Sequence, residues 1–91
     1  MPNVEIYLTR WCPYCHRARM LLDHKGVSYT VIDVDSAPEL RQLMRDRANG
    51  SHTVPQIFIG NTHVGGCDDL FALERQGQLD TLLAETSQAI N

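Results

Sequence analysis

Two cysteines separated by two residues are the most distinctive chemical feature of the chain, in the stretch CPYC from Cys12 to Cys15. Thiols at this spacing can pass between a dithiol and a disulfide, and the thiolate is the form that attacks a disulfide sulfur. Pro13 favours the first position inside a helix, because its missing N–H would have had no partner there. The pattern therefore predicts a helix that begins at Pro13, with Cys12 as its N-cap.

The start of this helix indicates which sulfur is the nucleophile. As the N-cap, the Cys12 sulfur faces the unpaired main-chain N–H groups of Tyr14 and Cys15, and these donors and the positive helix end stabilise a thiolate. Such a thiolate gains little as an attacking group but departs easily from a mixed disulfide. Cys15 lies one turn later, inside the helix and within reach of a disulfide. We expect Cys12 to attack and the buried, protonated Cys15 to resolve.

Two other interpretations of the cysteines remain open from the residues alone. A permanent disulfide between Cys12 and Cys15 would close so small a loop that it stabilises little. Zinc could be bound by Cys12, Cys15, His63 and Cys67, although a helix started by proline is an awkward support for the first pair. We predict no metal site, and we assign no catalytic role to the four histidines.

Hydrophobic periodicity predicts the elements that position this pair. Strands are expected at Val4 to Leu8 and Ser28 to Val34, with a helix from Pro13 to Lys25 between them, so that the two strands are parallel. A second helix runs from Pro38 to about Asn49, with an apolar face of Leu40, Leu43 and Met44. The stretch VPQIFIGNTHVGG predicts a hairpin, helix follows over Asp68 to about Gln76 and Leu79 to about Thr86, and the final SQAIN is expected to fray.

Composition limits the class of protein. A chain of 91 residues predicts one α/β domain over residues 1–91. The net charge of −3 does not suggest a nucleic-acid partner, and no secretory signal or membrane span is expected. The odd count of 3 cysteines favours a reducing cytoplasm, and we expect a monomer. Seven of the 8 basic residues lie before position 51, so an anionic substrate is expected to meet that half.

Three motifs together resemble the glutaredoxin family, in its small bacterial dithiol form: CPYC (Cys12 to Cys15), TVPQIFI (Thr53 to Ile59) and GGCDDL (Gly65 to Leu70). The resemblance covers nearly the whole chain. It implies a thioredoxin-like fold with a four-stranded mixed sheet flanked by helices. It also implies reduction of protein disulfides and glutathione mixed disulfides, with glutathione as the co-substrate, client proteins as partners and no tightly bound cofactor.

The same resemblance implies where glutathione binds. The peptide bond between Val54 and Pro55 is expected to be cis, and the main chain of Val54 to pair with the tripeptide as a strand would. N–H groups near Cys67 and Asp68 could hold a carboxylate, and the Asp68 side chain could accept from an ammonium. The implied glutathione-binding residues are Tyr14, Arg41, Thr53, Val54, Pro55, Gly66, Cys67 and Asp68.

Some of these residues have simpler interpretations. Asp68 could be only a helix N-cap, and Cys67 only a small packing residue. Where the family often carries a lysine, three positions before the first cysteine, this chain has Thr9, so Arg10 or Arg41 would have to supply the cation.

Two rival functions remain open. One is an iron–sulfur carrier in which two chains share a cluster, which Pro13 disfavours. The other is a thioredoxin fed by a reductase protein, which the short chain and GGCDDL disfavour.

Overall fold

The protein is described by a computed structural model over residues 3–88. Four strands and four helices follow one another as β1 (Val4–Leu8), α1 (Pro13–His24), β2 (Thr30–Asp33), α2 (Pro38–Arg47), β3 (Gln56–Ile59), β4 (Thr62–Gly65), α3 (Cys67–Arg75) and α4 (Leu79–Gln88). Within residues 3–88, no helix has the length and apolar character needed to cross a membrane.

The strands form one mixed sheet in the order β2-β1-β3-β4. β1 and β2 are parallel and are joined by α1, which confirms the predicted β-α-β unit. β3 runs antiparallel to β1, and β4 pairs with β3 as the second strand of the predicted hairpin. The end of β1, which leads into the cysteine pair, therefore lies beside the start of β3.

Apolar side chains cover both faces of the sheet, because successive residues of a strand point to opposite sides. On one face, Ile6 belongs to the larger buried cluster together with Leu22 of α1 and Leu70 of α3. On the other face, Tyr7 belongs to a smaller cluster with Met44 of α2. The fold is thus a sheet between helices, with β1 buried on both sides.

Helix α2 is shorter and less apolar than predicted. It ends at Arg47, because Asn49 and the following glycine take positive φ angles of 56° and 89°. Met44 is fully buried, whereas Leu43 is 45% exposed, so the predicted apolar face that included Leu43 is wrong. Adjacent helical residues point about 100° apart, and α2 reaches the sheet through Met44 and Ala48.

Other element ends differ from the prediction by a few residues. β2 spans only Thr30–Asp33. α4 continues to Gln88, so the predicted fraying does not begin at residue 87, and residues 89–91 of that predicted segment lie outside the described residues.

Candidate active site

Cys12 is the N-cap of α1, as predicted. Its backbone is extended, with φ −109° and ψ 110°, and Pro13 occupies the first helical position. The Cys15 N–H donates a hydrogen bond to the Cys12 Sγ at 3.2 Å. Of the two donors expected from the sequence, the structure therefore shows the one from Cys15.

The Cys12 sulfur also approaches a segment 42 residues further along the chain. Its thiol points to the Val54 carbonyl oxygen, with a sulfur-to-oxygen distance of 3.9 Å. The peptide bond between Val54 and Pro55 is cis, which confirms the expectation drawn from the resemblance. The half-buried sulfur thus lies between the start of α1 and the loop that leads into β3.

Cys15 is almost completely buried, with 2% of its surface exposed. The pKa of Cys15 rises from the ordinary value of 9.0 to about 12, mainly because the thiol is buried. A hydrogen bond to Cys12 contributes to this rise, and a main-chain hydrogen bond from Thr9 opposes it. Cys15 is therefore a thiol at neutral pH. This agrees with the predicted protonated state of Cys15, while its resolving role stays a prediction.

Cys67 is the third sulfur of the same apolar cluster, and it too is buried. Burial raises the pKa of its thiol. All three thiols are free. Within residues 3–88, no group of three or more His, Cys, Asp or Glu side chains is placed to hold a metal ion.

A groove lies next to Cys12, whose sulfur contacts the groove residue Val54. It brings together all the predicted glutathione-binding residues except Arg41. Its volume is about 310 Å³. The predicted residues that line it are Tyr14, Thr53, Val54, Pro55, Gly66, Cys67 and Asp68. Residues that sequence reasoning missed complete the lining: Ser51, Gln56, His63, Gly65 and Asp69.

The two candidate cations lie elsewhere. The Arg41 guanidinium donates to the Asp35 carboxylate at 2.9 Å and does not line the groove. Arg10 lines a separate cavity of about 430 Å³, together with Cys12 and the 92% exposed Trp11. The groove itself has no lysine or arginine in its lining, which comes from the second half of the chain and Tyr14.

The start of α3 forms one wall of the groove. The N-cap is Gly66, and its N–H donates to the Asp69 carboxylate at 2.9 Å, so the alternative assignment of Asp68 as the N-cap is wrong. Asp68 lies in the first turn with its side chain exposed. The main-chain N–H groups of Cys67 and Asp68 point along the helix axis without intrahelical partners. A carboxylate can bind there.

Gln56 and His63 are the groove residues whose polar side chains are tied into the protein. Gln56 is 3% exposed, and its Nε2 donates to the Thr53 carbonyl oxygen at 3.0 Å. Its Oε1 lies 2.6 Å from the His63 Nε2. A glutamine inside the otherwise apolar run of β3 was a signal in the sequence for such a network, because buried polar groups need hydrogen-bond partners.

Comparison with known proteins agrees with this geometry. The family model for glutaredoxin matches residues 4–64. A glutaredoxin from Pseudomonas aeruginosa is 62% identical over 84 residues, which cover 92% of this chain and 99% of that protein.

Two solved structures show the same fold. The solution structure of a glutaredoxin from Brucella melitensis has a TM-score of 0.78 and 56% identity, and covers 89% of this chain and 87% of its own. The crystal structure of a buckwheat glutaredoxin–glutathione complex has a TM-score of 0.85 and 31% identity, over 94% and 80% of the two chains.

These matches confirm the predicted family and its thioredoxin-like fold, with a four-stranded mixed sheet and helices on both faces. The half-buried sulfur at a helix start, with a buried second thiol one turn away, suits thiol–disulfide exchange. The chain belongs to the glutaredoxin family of thiol–disulfide oxidoreductases.

Proposed function

We propose that this protein reduces glutathione mixed disulfides and protein disulfides, with Cys12 as the nucleophile and glutathione as the reductant. The observation that carries the proposal is the position of the Cys12 sulfur. It accepts the Cys15 N–H at 3.2 Å and contacts Val54, a lining residue of the groove. The same sulfur therefore accepts a main-chain N–H at the start of α1 and lies beside the groove that we assign to glutathione.

With a glutathione mixed disulfide, the reaction needs only Cys12. The Cys12 thiolate attacks the glutathione sulfur, a Cys12–glutathione disulfide forms, and the client leaves as its thiolate. A second glutathione thiolate then attacks the glutathione sulfur of that intermediate. Oxidised glutathione leaves, the Cys12 thiolate is restored, and the stabilised thiolate makes this last step fast.

With a protein disulfide, Cys15 completes the reaction. Cys12 forms a mixed disulfide with the client, and the Cys15 thiolate attacks the Cys12 sulfur, so that the client leaves as a dithiol. The hydrogen bond to Cys12 that raises the Cys15 pKa is absent once Cys12 is covalently bonded, so Cys15 loses its proton more readily at that stage. Two glutathione molecules then reduce the Cys12–Cys15 disulfide and leave as oxidised glutathione.

The groove provides contacts for the backbone of glutathione and for its γ-glutamyl end. The Val54 main chain pairs with the tripeptide backbone, while the N–H groups at the start of α3 hold the carboxylate of the γ-glutamyl end. The exposed Asp68 carboxylate accepts from the ammonium group of that end. The complex of a buckwheat relative with glutathione supports glutathione as the ligand of this protein. Arg41 is left out, because its guanidinium is paired with Asp35.

Cysteine variants test the proposal in a glutathione-coupled assay. Cys15→Ser is expected to keep turnover of a glutathionylated peptide and to lose most reduction of a protein disulfide. Cys12→Ser is expected to lose both reactions. An active Cys12→Ser protein would show that another group is the nucleophile, and an unimpaired Cys15→Ser protein would remove the resolving role.

The proposal extends to the setting of the reaction. We also propose that the protein is a monomer and that it acts in a reducing cytoplasm, which would keep Cys15 and Cys67 as thiols. Sedimentation at micromolar concentration tests the monomer, and thiol counting in whole cells tests the reduced state.

A further inference from the structure

We propose that His63 and Gln56 are positioning residues that aim the Val54 N–H into the groove for glutathione. Neither side chain reacts, and neither was expected to act from the sequence. The inference rests on the proposed function, because it concerns how the glutathione groove is shaped.

Gln56 holds the carbonyl of Thr53. Its Nε2 donates to the Thr53 carbonyl oxygen at 3.0 Å, and the hydroxyl oxygens of Thr53 and Ser51 lie at 3.2 Å from the same nitrogen. Because the Thr53 carbonyl oxygen can only accept, the Gln56 atom that faces it is Nε2, and Oε1 faces the other way. The buried amide therefore has one orientation, in which Oε1 must accept a hydrogen bond.

His63 supplies that hydrogen bond. Its Nε2 lies 2.6 Å from the Gln56 Oε1, and since Oε1 is an acceptor, this nitrogen carries the proton. The hairpin places the ring there. His63 pairs with Phe58 across β3 and β4, and Gln56 lies two positions before Phe58 on the same face of the strand. The imidazole stacks on the Phe58 ring with centroids 4.8 Å apart, which fixes its position.

The carbonyl of Thr53 and the N–H of Val54 belong to one planar trans peptide unit, so they point in opposite directions. Turning the carbonyl towards Gln56 therefore turns the N–H away from it. Within residues 3–88 the Val54 N–H has no hydrogen-bond partner, and Val54 lines the groove. Loss of the His63 donor would release the Gln56 amide and, with it, the orientation of this peptide.

Two substitutions separate the hydrogen bond from the ring stacking. His63→Phe keeps an aromatic ring against Phe58 but has no donor, whereas His63→Gln has a side-chain amide donor but no ring. His24→Phe, at the exposed end of α1, is the matched control for replacing an imidazole with a phenyl group. Thermal unfolding shows whether each variant folds.

The measurements are the Kd for S-methylglutathione, which cannot react, the shift of the Val54 amide resonance on its addition, and the KM and kcat for a glutathionylated peptide. His63→Phe is expected to raise Kd and KM about fivefold, with kcat and the rate of Cys12 alkylation by iodoacetamide within about twofold of wild type. His63→Gln is expected to restore both constants to within about twofold, and His24→Phe to leave them unchanged.

The inference is overturned if His63→Phe binds S-methylglutathione like the wild type, or if His63→Gln is as impaired as His63→Phe, since stacking alone would then explain the effect. Should His63→Phe fail to fold, Gln56→Met removes the donor to Thr53 with an apolar side chain of similar length, and the same fivefold loss is expected. A wild-type protein that neither binds S-methylglutathione nor turns over would instead refute the proposed function.

Discussion

Replacing Cys15 with serine should make the reduced protein more resistant to alkaline unfolding. In the folded protein, burial and the hydrogen bond to Cys12 raise the Cys15 pKa from 9.0 to about 12. In the unfolded chain the Cys15 thiol has the ordinary pKa, so it loses its proton at a lower pH than in the folded protein. The folded state is therefore favoured fully below pH 9, and this stabilisation disappears as the pH rises towards about 12.

The size of the effect follows from the separation of the two pKa values. Each pH unit between the two pKa values lowers the free energy of unfolding by about 1.4 kcal/mol. Between about pH 9 and about pH 11 the free energy of unfolding of the wild type should therefore fall by about 2 kcal/mol more than that of Cys15→Ser. Urea unfolding of both proteins over this range, with a phosphine reductant present, measures the difference. The titrating groups other than Cys12, which interacts with Cys15, are common to the two proteins and cancel. Unfolding free energies that fall in parallel would refute the reasoning.

Two substitutions test how the groove walls and the sheet are held. Gly65→Ala should lower the free energy of unfolding by about 1 to 3 kcal/mol, because φ is +113° and the new methyl group would clash with the Asp69 carboxylate. Gly66→Ala should lower the free energy of unfolding by less, because the atom nearest to its new methyl group would lie 3.5 Å away. Equal losses in urea unfolding would contradict this. Arg47→Lys should lower the free energy of unfolding by about 1 to 3 kcal/mol. Lysine cannot reproduce the two guanidinium hydrogen bonds, one to the buried Tyr7 hydroxyl at 2.9 Å and one to the Glu5 carboxylate at 3.0 Å. An unchanged urea midpoint would show that the fork stabilises nothing.

Local signals in the sequence predicted the architecture well. Pro13 fixed the start of α1, and the glycine and asparagine of the β3–β4 turn located the hairpin. These predictions succeeded because each depends on a few neighbouring residues. Cys12 could be assigned as the N-cap for the same reason.

Contacts that depend on strand register or loop geometry were not predictable in the same way. The hydrogen bond between Gln56 and His63 requires the pairing of β3 with β4, which has an irregularity between Ile57 and Phe58. Arg41 could be placed on α2, but its partner Asp35 comes from the preceding loop. A sequence pattern gives the face of an element, not the distance between two elements. For that reason neither Arg10 nor Arg41 could be assigned to or excluded from the groove by sequence alone.

The near-complete exposure of Trp11 gives this protein a built-in optical reporter. It is the only tryptophan of the chain, and it immediately precedes the reactive sulfur. Indole emission responds to a thiolate or disulfide nearby, and Trp11 is the neighbour of Cys12 in the chain, so we expect its fluorescence intensity to change with the covalent state of Cys12. A stopped-flow record of that change would follow the proposed reactions of Cys12 in unlabelled protein, without a coupling enzyme.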